Sequence, residues 1–471
     1  MKAPDGEGLW SPAYRSLTVG LVLTITLVAS EALAVATILP DVRDDLGGIR
    51  LYGWVYSAFM LSSLVGIVAA GRAADRKGPA APYAVGLVLF AGGLVVGGLA
   101  PSMPVLVAGR ALQGLGAGAV PAVAYVAIGR SLPPSLQPRM FAVLSTAWVV
   151  PGLAGPALSA FVAHQFGWRW VFLGLIPLVA VSGPIGLPAL VRLGAPAPSA
   201  DGEAAEPAQP HSLVDAFRVA VGAGLALGGL TAYNAIATPV LVAAGLVVGV
   251  PSLRRLVPSG TLRGRPGLPA TILARGLLTF AFFGADGYVS FVGKEVRHHS
   301  TVLGGIALTA ATLTWTAGSW LQAAVAVRVE GRRLVRMGVA LILVGIACIA
   351  VTLRHDVPAG LLVVAWSIGG LGMGLCYAPI TLLVLRAAPA GGEGAATASL
   401  NLFDTLGIAL GTGVGGAAVA AAQSAHRPAA EGVAALLVCT AVTGVGCLAM
   451  SRRMPGDSLA ESTPLPQPIA P

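Results

Sequence analysis

The sequence predicts an all-α integral membrane protein of fourteen transmembrane helices. Three observations carry that reading. Of the 471 residues, 56% are hydrophobic and 10% are charged, whereas a soluble domain carries about 25% charged residues; mean hydropathy is +0.82. The apolar residues gather into runs near the length, about twenty residues, that crosses a bilayer as a helix. Lys and Arg fall between those runs and collect on one side: with the amino terminus inside, about 20 lie inside and about 7 outside.

The first six runs are Leu17 to Pro40, Tyr52 to Ala70, Ala81 to Ala100, Met103 to Ile128, Met140 to Val162 and Val171 to Val191. The first is longer than the core of a signal peptide and precedes no small-residue cleavage pattern, so it reads as a retained span. A linker rich in Pro, Ala and acids follows (Gly194 to His211), with the composition of a solvated connection. Two shorter runs come next, Leu213 to Ala232 and Ala235 to Val250. If that pair were one span, every later loop would swap sides and the cation bias would collapse. The last six are Leu268 to Val292, Leu303 to Val327, Leu334 to Leu353, Pro358 to Leu385, Ala395 to Ala421 and Val433 to Met450.

The expected organisation is a helical bundle over 1–192, a cytoplasmic linker over 193–212, two extra spans over 213–250, a second bundle over 251–453 and a disordered tail over 454–471. Both termini are expected in the cytoplasm. The net charge of +9 does not indicate nucleic acid, because the cations separate apolar runs instead of covering one face of a polar domain. All four cysteines lie inside apolar runs, which gives neither a disulfide framework nor a metal site. No nucleophile–base or HExxH constellation occurs in the spans. The chain is therefore expected to be no enzyme, to need no cofactor or metal, and to work as a monomer.

Four groups of residues carry chemistry. Between the second and third spans lies Gly71-Arg72-Ala73-Ala74-Asp75-Arg76-Lys77-Gly78. Topology explains the cations but not the acid among them. In the fourth span, Arg110 opens RALQGLGAG and lies seven residues below the outer end. An ion there faces a wet cavity or a partner, unless its side chain snorkels to the interface. Depth suggests the partner. Glu31 lies nine residues before Pro40, about 13 Å down, and Arg110 about 10 Å down, at about 1.5 Å per residue. The pair is either a structural ion pair or a proton site, since burial favours the neutral form of an acid and a nearby arginine the charged form. In the fifth span, PGLAGPALS holds Pro151, Gly152, Gly155 and Pro156; the glycines flatten a packing face and Pro156 bends the helix.

The loop GxxaDRxG resembles the signature loop of the major facilitator superfamily, RxxQGxGxG resembles its fourth-helix motif, and PGxxGPxxS, with Trp148 before it and GWRWVF after, resembles the fifth-helix motif of its antiporters. Glu31 to Pro40 is similar to the first-helix motif of the fourteen-span drug:proton antiporters, with Glu where that family usually has Asp. The resemblance implies two six-helix bundles with two extra spans between them. It implies that Gly71, Asp75, Arg76 and Gly78 form a conformational latch, that Arg110 handles protons, and that the chain exports small molecules. The related stretch Gly318 to Arg333 keeps glycines and cations but has no Asp.

Two further acids, Asp286 and Asp404, lie in the second half and are candidates for proton coupling; Asp286 is alternatively an interface residue and Asp404 a structural hydrogen bonder. Arg275 reads as snorkelling or latching. Tyr56, Phe59, Gln113, Trp148, Phe282, Phe283, Met373, Tyr377 and Asn401 fall on spans expected to line a central cavity, or else pack. The run Gly407, Gly411, Gly415 is a helix-packing face. The expected function is proton-coupled antiport of lipophilic or cationic small molecules across the cell membrane, with protons and the bilayer as the other partners. A lipid or metabolite exporter on the same fold, or a non-transporting receptor, is the alternative.

Overall fold

The computed structural model describes residues 8–132, 136, 140, 143–144, 146–193, 212–232, 234, 236–325, 329–354, 356–388 and 393–455. Among the described residues there is no strand. Inside a bilayer no water satisfies a backbone group, so a spanning segment closes its hydrogen bonds within itself as a helix.

Among the described residues fourteen long helices follow in order: α1 Arg15–Leu46, α2 Trp54–Lys77, α3 Ala80–Gly98, α4 Met103–Ser131, α5 Val149–Phe166, α6 Ile176–Leu193, α7 Ser212–Ala232, α8 Ala237–Leu256, α9 Leu268–Asp286, α10 Thr301–Val325, α11 Gly331–Thr352, α12 Leu361–Ala387, α13 Glu393–Ser424 and α14 Ala429–Met450. Thirteen are long and apolar enough to cross a membrane. The fourteenth, α5, has 18 residues and occupies the position of the fifth run. Of the expected fifth run, from Met140, residues 141, 142 and 145 lie outside the described residues, as do the linker 194–211 and the tail 456–471.

Some boundaries move. The first span was expected to stop at Pro40, yet Pro40 lies inside α1, which continues six residues to Leu46. The span beginning with α9 runs on through Val289–Phe291 and a π-turn, Val292–Val296. Single π-turns of this kind insert an extra residue without ending the helix.

In the first half, α2 and α3 pack on α4, while α1 packs on α5 and α6. In the second, α10 and α11 pack on α12, and α9 packs on α13 and α14. The halves meet along two seams, α5 and α1 against α10, and α2 against α13. The extra helices α7 and α8 pair with each other, and α7 packs on both α2 and α13, so they cover the second seam only. Outward faces are apolar: Val85 and Val88 of α3, Val240 and Val247 of α8, and Val438 and Val442 of α14 are exposed. That is the pattern of helices solvated by lipid.

Two close approaches set the height of the functional side chains. A Cβ at Gly114 of α4 would lie 2.1 Å from the Phe59 carbonyl oxygen on α2, so only glycine lets these backbones meet and fixes Arg110 one turn away against α2. On α13, a Cβ at Gly407 would lie 2.3 Å from the Gly276 carbonyl oxygen of α9. Gly407 and Gly411 therefore pack on α9 and hold Asp404 beside it, while Gly415 meets Tyr288 just beyond α9 and Leu436 of α14.

Candidate functional site

α1 and α4 bring Glu31 and Arg110 together. The Arg110 guanidinium donates through Nη1 to Glu31 Oε1, through Nη1 to Gln113 Oε1 at 3.0 Å and through Nε to the Val55 carbonyl at 3.0 Å. It stacks over the Phe59 ring, 4.3 Å from its centroid. The pair is sealed, with side-chain exposures of 2% for Arg110 and 0% for Glu31. The snorkelling alternative for Arg110 is therefore overturned: its head is turned into the bundle and fully engaged. Two polar atoms of this group, Glu31 Oε2 and Gln113 Nε2, are buried without a hydrogen-bond partner among the described residues.

The second half holds another pair. Arg275 Nε of α9 donates to Asp404 Oδ1 of α13 at 2.6 Å, and Arg275 Nη1 to the Tyr377 carbonyl at 2.8 Å. The Tyr377 hydroxyl donates to Asp404 Oδ2 at 3.2 Å, and the Arg275 guanidinium lies 3.2 Å from the centroid of the Tyr377 ring. Arg275 is 3% exposed, which overturns the expectation that it snorkels. The pairing was missed because Arg275, near the start of its helix, reads as a cation whose long stem reaches the interface. The signal that finds it is depth: Arg275 and Asp404 lie on helices that start on the same face, seven and eleven residues from their starts.

Asp286, the last residue of α9, takes a third arrangement. Its Oδ1 accepts from Trp366 Nε1 of α12 at 2.7 Å, and among the described residues no cation reaches it. Trp366 was missed because it is hidden in the apolar run of α12 and is fully buried. It stacks on Phe282, centroids 4.7 Å apart, and Phe282 meets both Phe283 and Trp315 edge-on at 5.2 and 5.5 Å. Trp315 lies 5.6 Å from Tyr377.

The remaining candidates divide. Tyr56, Phe283, Tyr377 and Asn401 are half-buried, whereas Phe59, Phe282 and Met373 are buried in the core. Trp148 caps α5 and is 43% exposed. In the antiporter-type motif, a Cβ on Gly152 would lie 2.1 Å from Thr312 Cγ2 of α10, and one on Gly155 would lie 3.9 Å from Leu33 of α1. Pro151 and Pro156 are buried in the same helix. The motif thus sits on the seam between the halves. Gly71 and Gly78 lie at the end of α2; the side chains of Asp75 and Arg76 lie outside the described residues.

At the face where α1 ends, a set of ions that the sequence did not single out joins the halves. Lys294 Nζ reaches Asp41 and Asp44, each at 2.6 Å, Arg43 pairs with Glu295, and the Thr301 hydroxyl donates to Asp41 at 3.2 Å. The same seam carries a groove of about 620 Å³ facing the lipid, lined by Leu153, Pro156 and Phe161 of α5 and by Val302, Ile306 and Leu313 of α10.

Comparison with known proteins agrees with this architecture. The chain is 29% identical to a probable multidrug-efflux transporter of Mycobacterium tuberculosis over 92% of its own length and 93% of that protein. It is 29% identical to multidrug resistance protein 3 of Bacillus subtilis over 36% of its length and 33% of that protein. Among solved structures, an auto-inhibited peptide transporter of the POT family superposes with a TM-score of 0.67 at 17% identity, covering 96% of this chain and 99% of the other. A D-xylose–proton symporter superposes at 0.65 with 14% identity, covering 94% and 98%; at such identities the likeness is one of fold. The Major Facilitator Superfamily model matches residues 20–412, and the chain is a membrane transporter of that superfamily.

Proposed function

We propose that this transporter is a proton-coupled antiporter of the cell membrane, with both termini cytoplasmic, that exports lipophilic or cationic small molecules by alternating access. The observation that carries the reading is the unsatisfied Glu31 carboxyl oxygen. Arg110 holds Oε1, while Oε2 is buried and meets no donor. A buried oxygen left without a partner costs free energy, and a proton placed on that carboxyl changes the balance of the pair with Arg110. Taking the proton in one access state and giving it up in the other couples its flow to the movement of the halves, 1–192 and 251–453. The named activity of the relatives, multidrug efflux, supports the cargo class and the direction.

In this reading the small-residue face of α5 around Gly152 is the sliding contact between the halves, and Gly71, Asp75, Arg76 and Gly78 latch the cytoplasmic side. The ions around Lys294 close the outer side. Export of a lipid on the same fold is the second reading, favoured by the lipid-facing groove between α5 and α10.

Proteoliposomes holding the purified chain test the proposal. After a pH step, wild type is expected to concentrate a lipophilic cargo against its gradient, Glu31→Gln is expected to fail, and Glu31→Asp, which still titrates, is expected to retain part of the activity. Uphill transport by Glu31→Gln at the wild-type rate would place the proton site elsewhere. Cargo dependence separates the second reading: lipid scrambled outward with no response to lipophilic drugs would favour it.

A further inference from the structure

Among the described residues, three acids inside the two halves lie beside aromatic rings; the buried Asp215 of α7, in the extra pair, instead faces Arg218 and Arg255. Glu31 has its cation, Arg110, which is stacked on Phe59. Asp404 has its cation, Arg275, which is stacked on Tyr377. Asp286 has the rings and a single hydrogen bond from Trp366, with no cation among the described residues. The basic side chain next along its own span, Lys294, is held by Asp41 and Asp44, and both interior arginines are spent on the other two acids.

We propose that the cation missing from Asp286 is supplied by the cargo, and that Asp286 with Phe283, Trp315 and Tyr56 is the anchoring site for an organic cation with an aromatic body. The rings are arranged for it. Phe282 and Trp366 are buried and form a backing layer, 2% and 0% exposed, whereas Phe283, Trp315 and Tyr56 are only half-buried and keep open surface. Phe283 and Trp315 lie with centroids 6.2 Å apart and tilted at 55°, which leaves ring faces that no protein cation occupies. Such faces attract a cation through the ring quadrupole, most strongly where water is excluded. The Tyr56 ring borders the acid, lying 3.6 Å from where a Cβ on Gly287 would sit, and its hydroxyl is buried without a partner. By contrast the neighbouring Tyr288 hydroxyl already donates to the Thr412 carbonyl at 3.0 Å and is not free to meet a ligand.

The assignment gives the three acids separate tasks. The acid with an arginine and an unmet oxygen exchanges a proton, the acid with an arginine and both oxygens met is fixed, and the acid without an arginine receives the cargo. It rests on the transport reading above only in taking the interior as reachable by cargo.

Equilibrium binding to the purified full chain, with no gradient present, tests it with two probes of similar size: tetraphenylphosphonium, which is charged, and triphenylphosphine oxide, which is neutral. Asp286→Asn is expected to weaken tetraphenylphosphonium about tenfold or more while leaving the neutral probe within about twofold, as the loss of one ion pair and its cation–π setting predicts. Asp286→Glu is expected to restore most of the affinity. Asp404→Asn, which removes an acid already neutralised by Arg275, is expected to change the cation's affinity far less than Asp286→Asn does. Equal affinity for the cation in wild type and Asp286→Asn would overturn the proposal, and so would an equal loss for both probes, which would mark Asp286 as structural. Because no proton gradient enters the measurement, this result and the uphill-transport result with Glu31→Gln fail independently.

Discussion

The two arginine–carboxylate pairs differ in one respect that decides what each can do. Glu31–Arg110 joins α1 to α4 within the first half, and Arg275–Asp404 joins α9 to α13 within the second. The first pair is sealed, whereas in the second Arg275 is buried and Asp404 is 17% exposed; both place the guanidinium on an aromatic ring. In the second pair both carboxylate oxygens are engaged, one by Arg275 and one by Tyr377. In the first, one oxygen of Glu31 has no hydrogen-bond partner among the described residues. A fully satisfied pair in a low-dielectric interior rigidifies its surroundings, while a partly satisfied one sits close to a change of state. The comparison teaches that two buried arginines can hold their acids differently, and in the proposed reading it is the unmet oxygen, not the ion pair alone, that marks the proton site.

The largest expected effect comes from breaking the satisfied pair. Arg275→Leu leaves Asp404, 17% exposed, without its cation; the loss of one partner of a fully buried pair costs about 3–5 kcal/mol, and the partial exposure puts this one toward or below the lower end. Thermal unfolding in detergent is expected to show a large drop for Arg275→Leu and recovery of much of it in Arg275→Leu/Asp404→Leu, where neither charge remains to be buried. An unchanged melting temperature in the single variant would mean that Asp404 simply takes up a proton, and the contrast between the pairs would dissolve. The companion measurement is uphill transport by Asp404→Asn, which is expected to persist in the folded fraction, where Glu31→Gln abolishes it.

How far the sequence foretold these pairs follows from what each signal measures. Spans were legible because about twenty apolar residues are the requirement of the bilayer itself, and the contact of Glu31 with Arg110 was legible because depth along two helices is arithmetic. Arg275 lies near a helix end, where its long stem reads as reaching the interface. Packing decided otherwise, since Gly407 draws α13 against α9 and sets Asp404 beside it. Pro40 was misread as a stop because proline ends helices in water; in α1 the helix continues past it to Leu46. That extension carries Asp41, Arg43 and Asp44 toward Lys294 and Glu295, so the ionic contact at that face was invisible while the helix was thought to end early. The aromatic layer behind Asp286 had no signal at all, because a single Trp in an apolar run reads as packing.

A middle-sized effect is expected at the seam between the halves. Gly152→Val places two methyl groups where even a Cβ would lie 2.1 Å from Thr312 Cγ2, and forced overpacking costs about 1–3 kcal/mol. If the seam must close and open during transport, the variant is expected to lose export rate more than cargo affinity. Thr312→Ala in the same chain removes the colliding methyl and is expected to return part of the rate. A loss of affinity with the rate intact would move the motif from the sliding contact to the cargo site.

The smallest effect is expected where the ions are exposed. Lys294 is 22% exposed, and its partners Asp41 and Asp44 are 33% and 47% exposed, so each pair is worth about 1 kcal/mol or less. Lys294→Ala is therefore expected to leave the melting temperature nearly unchanged. It still removes ties that cross between α1 and the segment after α9, and about 1.4 kcal/mol shifts a two-state equilibrium tenfold. A cysteine introduced at Thr301, whose hydroxyl contacts Asp41, is expected to react faster with an impermeant thiol reagent added outside when Lys294 is absent. High salt is expected to produce the same acceleration in wild type and to add little in the variant, because screening weakens the same contacts. Equal labelling in both chains at low salt would show that these ions decorate the outer face without holding it closed, and the closure would then rest on the apolar contacts of α1 and α5 with α10 alone.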